Sequence, residues 1–124
     1  MKILSANTCY IPHNLNHVIR SKDEVSAILG GMNDAQIQSI WASVESLYKT
    51  GNYPFISLCL RRQGQILLNR SIGYAQGNSA DGLAADAKIG TPDTPVCLFS
   101  ASKIVTAMLI HLLNEQGQLN LLDP

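Results

Sequence analysis

The chain has 124 residues and a mass of 13.4 kDa, which allows one modest hydrophobic core and excludes an assembly of several domains. Hydrophobic residues make up 46% of the sequence and charged residues 15%, a composition that excludes a disordered chain and predicts some apolar surface in contact with a partner or a further segment. Nine basic and nine acidic residues give no net charge and no block of one sign, so we expect no nucleic acid partner.

The beginning of the chain carries little pattern. Residues 1–33 show no clear hydrophobic periodicity and are predicted to form an irregular N-terminal segment. Met1 to Asn7 begin like a secretory signal, but Asn14 and His17 soon interrupt the apolar stretch that such a signal needs. We therefore expect a cytoplasmic protein, with a periplasmic location as the alternative.

Residues that commonly bind metals are few and widely spaced: Cys9, Cys59, Cys97, His13, His17 and His111. The sequence has no C-x-x-C pair and no histidine spacing typical of a zinc site, so neither a metal site nor a disulfide framework is expected. We interpret the three cysteines as buried free thiols.

A first amphipathic helix is predicted over residues 34–50. Asn33 can cap this helix, Gln36 occupies the capping-box position, and Gly51 ends it. Apolar residues recur at helical spacing between these limits: Ile37, Ile40, Trp41, Val44, Leu47 and Tyr48.

Two apolar runs follow and predict a β-hairpin over residues 55–74 that turns at Gly64. Alternate residues of its first strand are apolar from Ile56 to Leu60. A helix packed on a hairpin places the chain in the α+β class. Residues 75–97 are rich in Gly, Ala, Asp and Asn without periodicity, so we predict a long functional or mobile loop there.

A second helix is predicted over residues 100–116, with Gly117 as its cap. Its apolar residues lie almost all around the helix: Ile104, Val105, Ala107, Met108, Leu109, Ile110, Leu112 and Leu113. Such a helix requires burial on every side, so we expect an oligomer partner or a further C-terminal segment to cover it. It is too short to span a membrane.

The spacing Ser-x-x-Lys occurs twice, and its first occurrence joins Ser46 to Lys49. Ser46 lies on the face opposite Ile37 and near the C-terminal end of its helix, where the negative end of the helix dipole repels an oxyanion. Lys49 is interpreted as an ordinary cation in the last helical turn. We therefore predict no catalytic role for this pair.

The second occurrence joins Ser100 to Lys103 and opens the apolar helix. Free N–H groups and the positive dipole end at a helix N-terminus favour an oxyanion formed on the Ser100 hydroxyl. Lys103 lies nearly one turn further, within reach of that hydroxyl, and the apolar surroundings should desolvate its amine so that it can accept a proton. These residues alone also allow an alternative, in which Ser100 or Ser102 only caps the helix and Lys103 extends into solvent.

The flanking sequence favours the catalytic interpretation. The chain resembles the serine β-lactamase-related family, which includes class C β-lactamases, penicillin-binding carboxypeptidases and esterases of the same fold. The stretches that carry this resemblance are Thr91 to Thr94, Ser100 to Lys103, Thr106-Ala107, Glu115 to Leu119 and Asp123-Pro124. The predicted hairpin also looks like the opening strands of that family.

The resemblance implies a partial domain over residues 34–124, which would be the N-terminal portion of a β-lactamase/transpeptidase-like fold with its second helix buried at the centre. It also implies that Ser100 is the acylated nucleophile and Lys103 its proton acceptor. The implied substrate is a small molecule with an acyl group, either a β-lactam, an ester or a D-alanyl peptide, and no cofactor or metal is implied. Phe99 departs from the small residue that is common before the family's serine.

The family's later motifs, Tyr-x-Asn or Ser-x-Asn and then Lys-Thr-Gly or His-x-Gly, do not follow Ser100 in this sequence. Ser5-Ala6-Asn7 and Lys49-Thr50-Gly51 match in letters, but they lie upstream and are interpreted as coincidences. We therefore expect an incomplete N-terminal fragment of a serine hydrolase that has weak activity or none alone. The alternative is a non-catalytic interaction module that docks helix 100–116 on a partner.

Overall fold

The computed structural model describes residues 8–123 and divides the chain into two compact units, one ending at Thr94 and the other beginning at Pro95. Within the described residues, the first unit contains an antiparallel sheet and a long α-helix, and the second contains one α-helix. The mixture of helix and antiparallel sheet confirms the predicted α+β class.

The regular elements, in chain order, are β1 (Ile19–Ser21), α1 (Asp34–Lys49), β2 (Phe55–Arg62), β3 (Gln65–Ser79), β4 (Gly82–Ile89) and α2 (Ser102–Glu115). Short 3₁₀ helices lie at Leu15–Val18, Ala27–Gly30 and Phe99–Ala101.

Strand β3 is the centre of the sheet, because β1, β2 and β4 all pair with it in antiparallel fashion. Its pairs with β2 run from Gln65 to Gly73, and its pairs with β4 run from Tyr74 to Ser79. The turn between β2 and β3 has positive φ at both Gln63 (51°) and Gly64 (76°), as in the type I′ turns that match strand twist. The predicted hairpin and its turn are therefore confirmed.

Helix α1 begins with the predicted capping box, in which the Asn33 side chain and the Gln36 side chain each accept the other residue's backbone N–H at 2.9 Å. The helix packs its apolar face on the sheet. The core of the first unit consists of Val18, Ala27, Ile37, Trp41, Tyr48, Leu67, Leu68 and Ile72. Gly73 borders this core with φ of 103°, and a Cβ there would collide with the Pro54 carbonyl and the Tyr48 ring.

Two segments predicted without regular structure contain strands. The predicted loop over 75–97 is wrong in its first part, because β3 continues to Ser79 and residues 82–89 form β4. In the described part of the predicted irregular segment, residues 8–33, the prediction misses the short strand β1, which pairs with β3, and the two 3₁₀ helices that flank it. Backbone hydrogen bonds to β3 stabilise both strands, and such pairing leaves no trace in hydrophobic periodicity when a strand is short or rich in small residues.

The interpretation of the cysteines as buried is also wrong. Cys59 and Cys97 are exposed, and Cys9 is partly buried. Cys59 lies between Leu58 and Leu60 in β2, so strand alternation places it on the opposite face from these two partly buried leucines.

Helix α2 begins at Ser102, two residues later than predicted, and ends at Glu115 with Gly117 in the left-handed conformation (φ 68°). Gly117 N–H donates to the Asn114 carbonyl at 3.0 Å, and Gln118 N–H donates to the Leu113 carbonyl at 2.9 Å. These two bonds form a Schellman motif, which gives Gly117 the predicted terminating role.

No residue of α2 is buried, and the exposed fractions of Ile104 and Met108 are each 67%. The prediction of a buried helix is therefore wrong for the chain as it stands, because one helix that is apolar on all sides cannot cover itself. None of the helices in the described part of the chain is long and apolar enough to cross a membrane.

Candidate active site

Ser100 lies in a tight turn immediately before α2. The turn is the 3₁₀ helix Phe99–Ala101, which the Ala101 N–H closes by donating to the Leu98 carbonyl at 3.0 Å. Phe99 has φ of +47°, a left-handed conformation that bulky side chains rarely adopt, and its ring is 82% exposed. The departure from the family pattern at this position therefore coincides with an unusual backbone.

The structure brings the two predicted site residues together. Lys103 Nζ lies 3.4 Å from Ser100 Oγ, at the long end of hydrogen-bonding distance. The approach is possible because side chains three residues apart nearly eclipse each other in a 3₁₀ turn. The hydroxyl and its nearest amine are thus adjacent at the N-terminus of α2, where the Ala101 and Ser102 N–H groups donate to the Leu98 and Phe99 carbonyls.

The capping part of the alternative interpretation is wrong, whereas Lys103 is exposed, as that alternative expects. The residues at the cap positions are Leu98 for the 3₁₀ helix and Ala101 for α2, and neither helix has a side-chain cap hydrogen bond. The Ser102 hydroxyl instead donates backward to the Phe99 carbonyl at 2.6 Å. The Ser100 hydroxyl is therefore not used to tie down the helix entrance.

Lys103 is not desolvated in this chain, contrary to the prediction. Both Ser100 and Lys103 are exposed, since the apolar residues of α2 that follow them are themselves uncovered. The two side chains are close together, but they are not shielded from solvent as a lysine that acts as a base requires.

A family model described as Beta-lactamase matches residues 34–124, which is most of the chain and includes the Ser100 turn. The chain belongs to the beta-lactamase family. This confirms the predicted family, and membership indicates serine hydrolase activity in general. Searches of curated proteins and of solved structures return no match.

The other Ser-x-x-Lys match of this beta-lactamase family chain lies inside α1. The Ser46 hydroxyl donates to the Ala42 carbonyl at 2.9 Å, and the Thr50 hydroxyl donates to the Leu47 carbonyl at 2.7 Å. Both hydroxyls are bonded to the helix backbone, and Lys49 is the last residue of α1. The other upstream match, Ser5-Ala6-Asn7, lies outside the described residues.

The first unit ends in an ordered turn at Thr91 to Thr94, the part of the family pattern that precedes the serine. Thr91 N–H donates to Thr94 Oγ1 at 2.8 Å, and Thr94 N–H donates to the Thr91 carbonyl at 3.0 Å. Asp93 pairs with Lys22 at 2.7 Å, and this hydrogen bond and charge raise the pKa of the Lys22 amine. The turn is thereby connected to the residue that follows β1.

Metal ligands are not assembled in the region that the structure describes: residues 8–123 contain no group of three or more His, Cys, Asp or Glu side chains that could hold an ion.

Sequence reasoning considered Ser102 only as a possible cap and missed its bond to the Phe99 carbonyl. Serine hydroxyls commonly donate to the backbone carbonyl three or four residues earlier in the chain, so the sequence position of Ser102 could have indicated this bond.

Proposed function

We propose that this chain supplies the nucleophile and the proton acceptor of a serine hydrolase that acts through an acyl-enzyme. Ser100 is the nucleophile and Lys103 is the base in this proposal. The observation that carries it is the 3.4 Å approach of Lys103 Nζ to Ser100 Oγ at the entrance of α2, in a chain of the beta-lactamase family. The substrate class is a β-lactam, an ester or a D-alanyl peptide.

The proposed reaction begins when Ser100 Oγ attacks the acyl carbonyl and its proton passes to the Lys103 amine. A C–O bond forms and the carbonyl oxygen becomes an oxyanion. When the tetrahedral intermediate collapses, the C–N bond of a lactam or amide, or the C–O bond of an ester, breaks and the leaving group takes the proton. Water then attacks the acyl-enzyme, which releases the acid and restores the Ser100 hydroxyl.

The start of α2 supports stabilisation of that oxyanion. The first N–H groups of a helix have no partner within the helix, and the positive end of its dipole lies there. Backbone donors of this kind are effective because they are already oriented before charge develops.

Exposure of the site supports a further part of the proposal, that efficient turnover requires protein beyond these residues. Lys103 and the apolar side chains of α2 are open to solvent. Loss of one oxyanion donor alone reduces turnover by about 10²–10³-fold. We therefore expect covalent labelling of Ser100 by a reactive probe, with little catalytic turnover by the chain alone.

The test is labelling with a fluorescent fluorophosphonate and a fluorescent penicillin, followed by mass spectrometry to locate the adduct. The expected adduct is on Ser100, it is absent from Ser100→Ala, and its rate of formation falls at least tenfold in Lys103→Met because the proton acceptor is lost. Hydrolysis of a chromogenic β-lactam and of p-nitrophenyl acetate measures turnover in parallel.

Ser46→Ala is the matched control, because it removes the serine of the other Ser-x-x-Lys match and should leave labelling unchanged. Failure of both probes to modify Ser100 contradicts the proposed nucleophile. Rapid Ser100-dependent turnover contradicts only the requirement for further protein.

The exposed apolar surface of α2 favours a second candidate function, an interaction module that docks this helix on a partner. Size-exclusion chromatography and limited proteolysis separate the two candidates. A compact, monodisperse oligomer that resists proteolysis and is not labelled at Ser100 supports the module, whereas a labelled chain that is protease-sensitive within 95–124 supports the hydrolase.

A further inference from the structure

The turn that holds Ser100 depends on one carbonyl that receives two bonds from the same residue. Both the backbone N–H and the hydroxyl of Ser102 donate to the Phe99 carbonyl, the hydroxyl at 2.6 Å. The hydroxyl bond is among the shortest side-chain hydrogen bonds in the described part of the chain. The carbonyl that it holds belongs to the one residue of this turn with a left-handed backbone.

Phe99 opposes that conformation. A non-glycine residue at φ of +47° costs about 1–2 kcal/mol relative to a right-handed one, so the turn persists only if neighbouring bonds hold it. The Phe99 ring does not provide the compensation, because it is 82% exposed. The Ser102 hydroxyl is the side-chain group bonded directly to this residue's backbone.

The Ser102 hydroxyl bond closes the turn that contains one member of the candidate site and adjoins the other. It joins the Phe99 carbonyl, just before Ser100, to Ser102, just before Lys103. Release of this bond therefore frees the backbone around Ser100 and displaces Ser100 relative to the lysine. The 3.4 Å contact is already long, so a shift of 1 Å would break it.

We infer that Ser102 is a positioning residue, whose hydroxyl bond to the Phe99 carbonyl holds the strained turn and thereby keeps Ser100 Oγ beside Lys103 Nζ. The inference rests on the proposed function, because it assigns Ser102 an effect on acylation of Ser100. A hydroxyl at this position does not touch the substrate; it acts through the backbone of the turn.

The test compares the rate of fluorophosphonate labelling over a range of probe concentrations. Ser102→Ala should lower the maximal labelling rate about tenfold and leave the half-saturating probe concentration unchanged, because the reacting geometry is lost and probe binding is not. Ser102→Thr, which keeps a hydroxyl, should stay within about twofold of the original chain. Circular dichroism should show the same helix content in all variants.

Thr106→Ala is the matched control. The Thr106 hydroxyl donates to the Ser102 carbonyl at 3.2 Å, a bond of the same kind one turn further along whose acceptor is not Phe99. Labelling of this variant should remain within about twofold of the original rate.

Two labelling results overturn the inference: labelling of Ser102→Ala at the original rate, or an equal loss in Ser102→Ala and Ser102→Thr. NMR coupling constants that report φ of Phe99 provide a measurement that does not depend on labelling. If Phe99 keeps a positive φ in Ser102→Ala, the inference is overturned. If the original chain is not labelled at Ser100 but Phe99 leaves the left-handed region in Ser102→Ala, the proposed function fails and the role of Ser102 in the turn stands.

Discussion

One Ser-x-x-Lys pair lies inside α1 and the other at the start of α2. The two helices also differ in how much of their apolar surface is buried. Ser46 is inside α1, and its hydroxyl is bonded to a carbonyl of the preceding turn. Ser100 precedes α2, and its hydroxyl contacts the lysine amine. α1 buries its apolar face, whereas no residue of α2 is buried.

The contrast shows that the position of a serine relative to the helix end decides what its hydroxyl can do. Inside a helix, the nearest acceptor is a backbone carbonyl one turn earlier. Before the first full turn, the hydroxyl is free to contact a side chain. The four-residue pattern contains none of this information by itself.

The largest expected effect tests the difference in burial. Ile37→Ala in α1 should lower the free energy of unfolding by about 2–5 kcal/mol, because it leaves a cavity in the core. Ile104→Ala makes the same change in α2, where the side chain is 67% exposed, and should cost less than about 0.5 kcal/mol. Urea unfolding followed by circular dichroism and by Trp41 fluorescence measures both. Equal losses would show that α2 is covered in solution.

The second expected effect is a loss of stability at alkaline pH that depends on the buried hydroxyl of Tyr48 in α1. Among residues 8–123 the Tyr48 hydroxyl finds no hydrogen-bond partner. Burial, together with the nearby Tyr74, Cys9 and Tyr10, raises the pKa of Tyr48 to about 12. Above pH 10 the unfolded chain loses this proton while the folded chain keeps it. Stability should therefore be complete below pH 10 and fall by about 2–3 kcal/mol as the pH rises to about 12.

Unfolding of Tyr48→Phe at several alkaline pH values checks this expectation. The variant should be at least as stable as the original chain at pH 7, because no hydrogen bond is lost, and its alkaline loss should be smaller. Tyr53→Phe, at a half-exposed ring, is the control and should retain the alkaline loss. A loss of stability in Tyr48→Phe at pH 7 would mean that the hydroxyl has a partner in solution.

The smallest expected effect compares two ion pairs of the first unit. Burial alone would raise the pKa of the Glu24 carboxyl, but hydrogen bonds from Arg70 and from the Asn69 N–H, with the Arg70 charge, lower it below 4.5. The pair therefore contributes stability above pH 4.5 that is lost as the pH falls through the lowered pKa. Glu24→Gln should cost about 1–2 kcal/mol at pH 7 and reduce this acid sensitivity.

The exposed pair of Lys22 and Asp93 is the matched comparison, since its side chains are 48% and 64% exposed. Asp93→Asn should change stability at pH 7 by no measurable amount, because solvent screens an exposed pair. Thermal unfolding at pH 3, 5 and 7 compares both variants. A larger loss in Asp93→Asn than in Glu24→Gln would reverse the order that burial predicts.

The parts of the fold that sequence predicted are those whose cause is local. The capping box of Asn33 and Gln36 and the turn at Gly64 are short-range signals, and both are present. Strand β4 was not predicted, because its residues are mostly exposed and its cause is the distant partner β3. The contact between Ser100 and Lys103 followed from spacing, whereas the left-handed backbone of Phe99 has no signature in the residue types around it.

The turn between β2 and β3 is a practical place for an affinity tag in a test of whether a partner binds α2. Gln63 and Gly64 already occupy left-handed conformations, and no atom lies within 4 Å of a Cβ built at Gly64. An exposed hairpin tip of this kind tolerates inserted residues. An affinity tag inserted there would leave both chain ends and the Ser100 turn unchanged. The tagged chain could then be used to capture binding partners without altering the candidate site or α2.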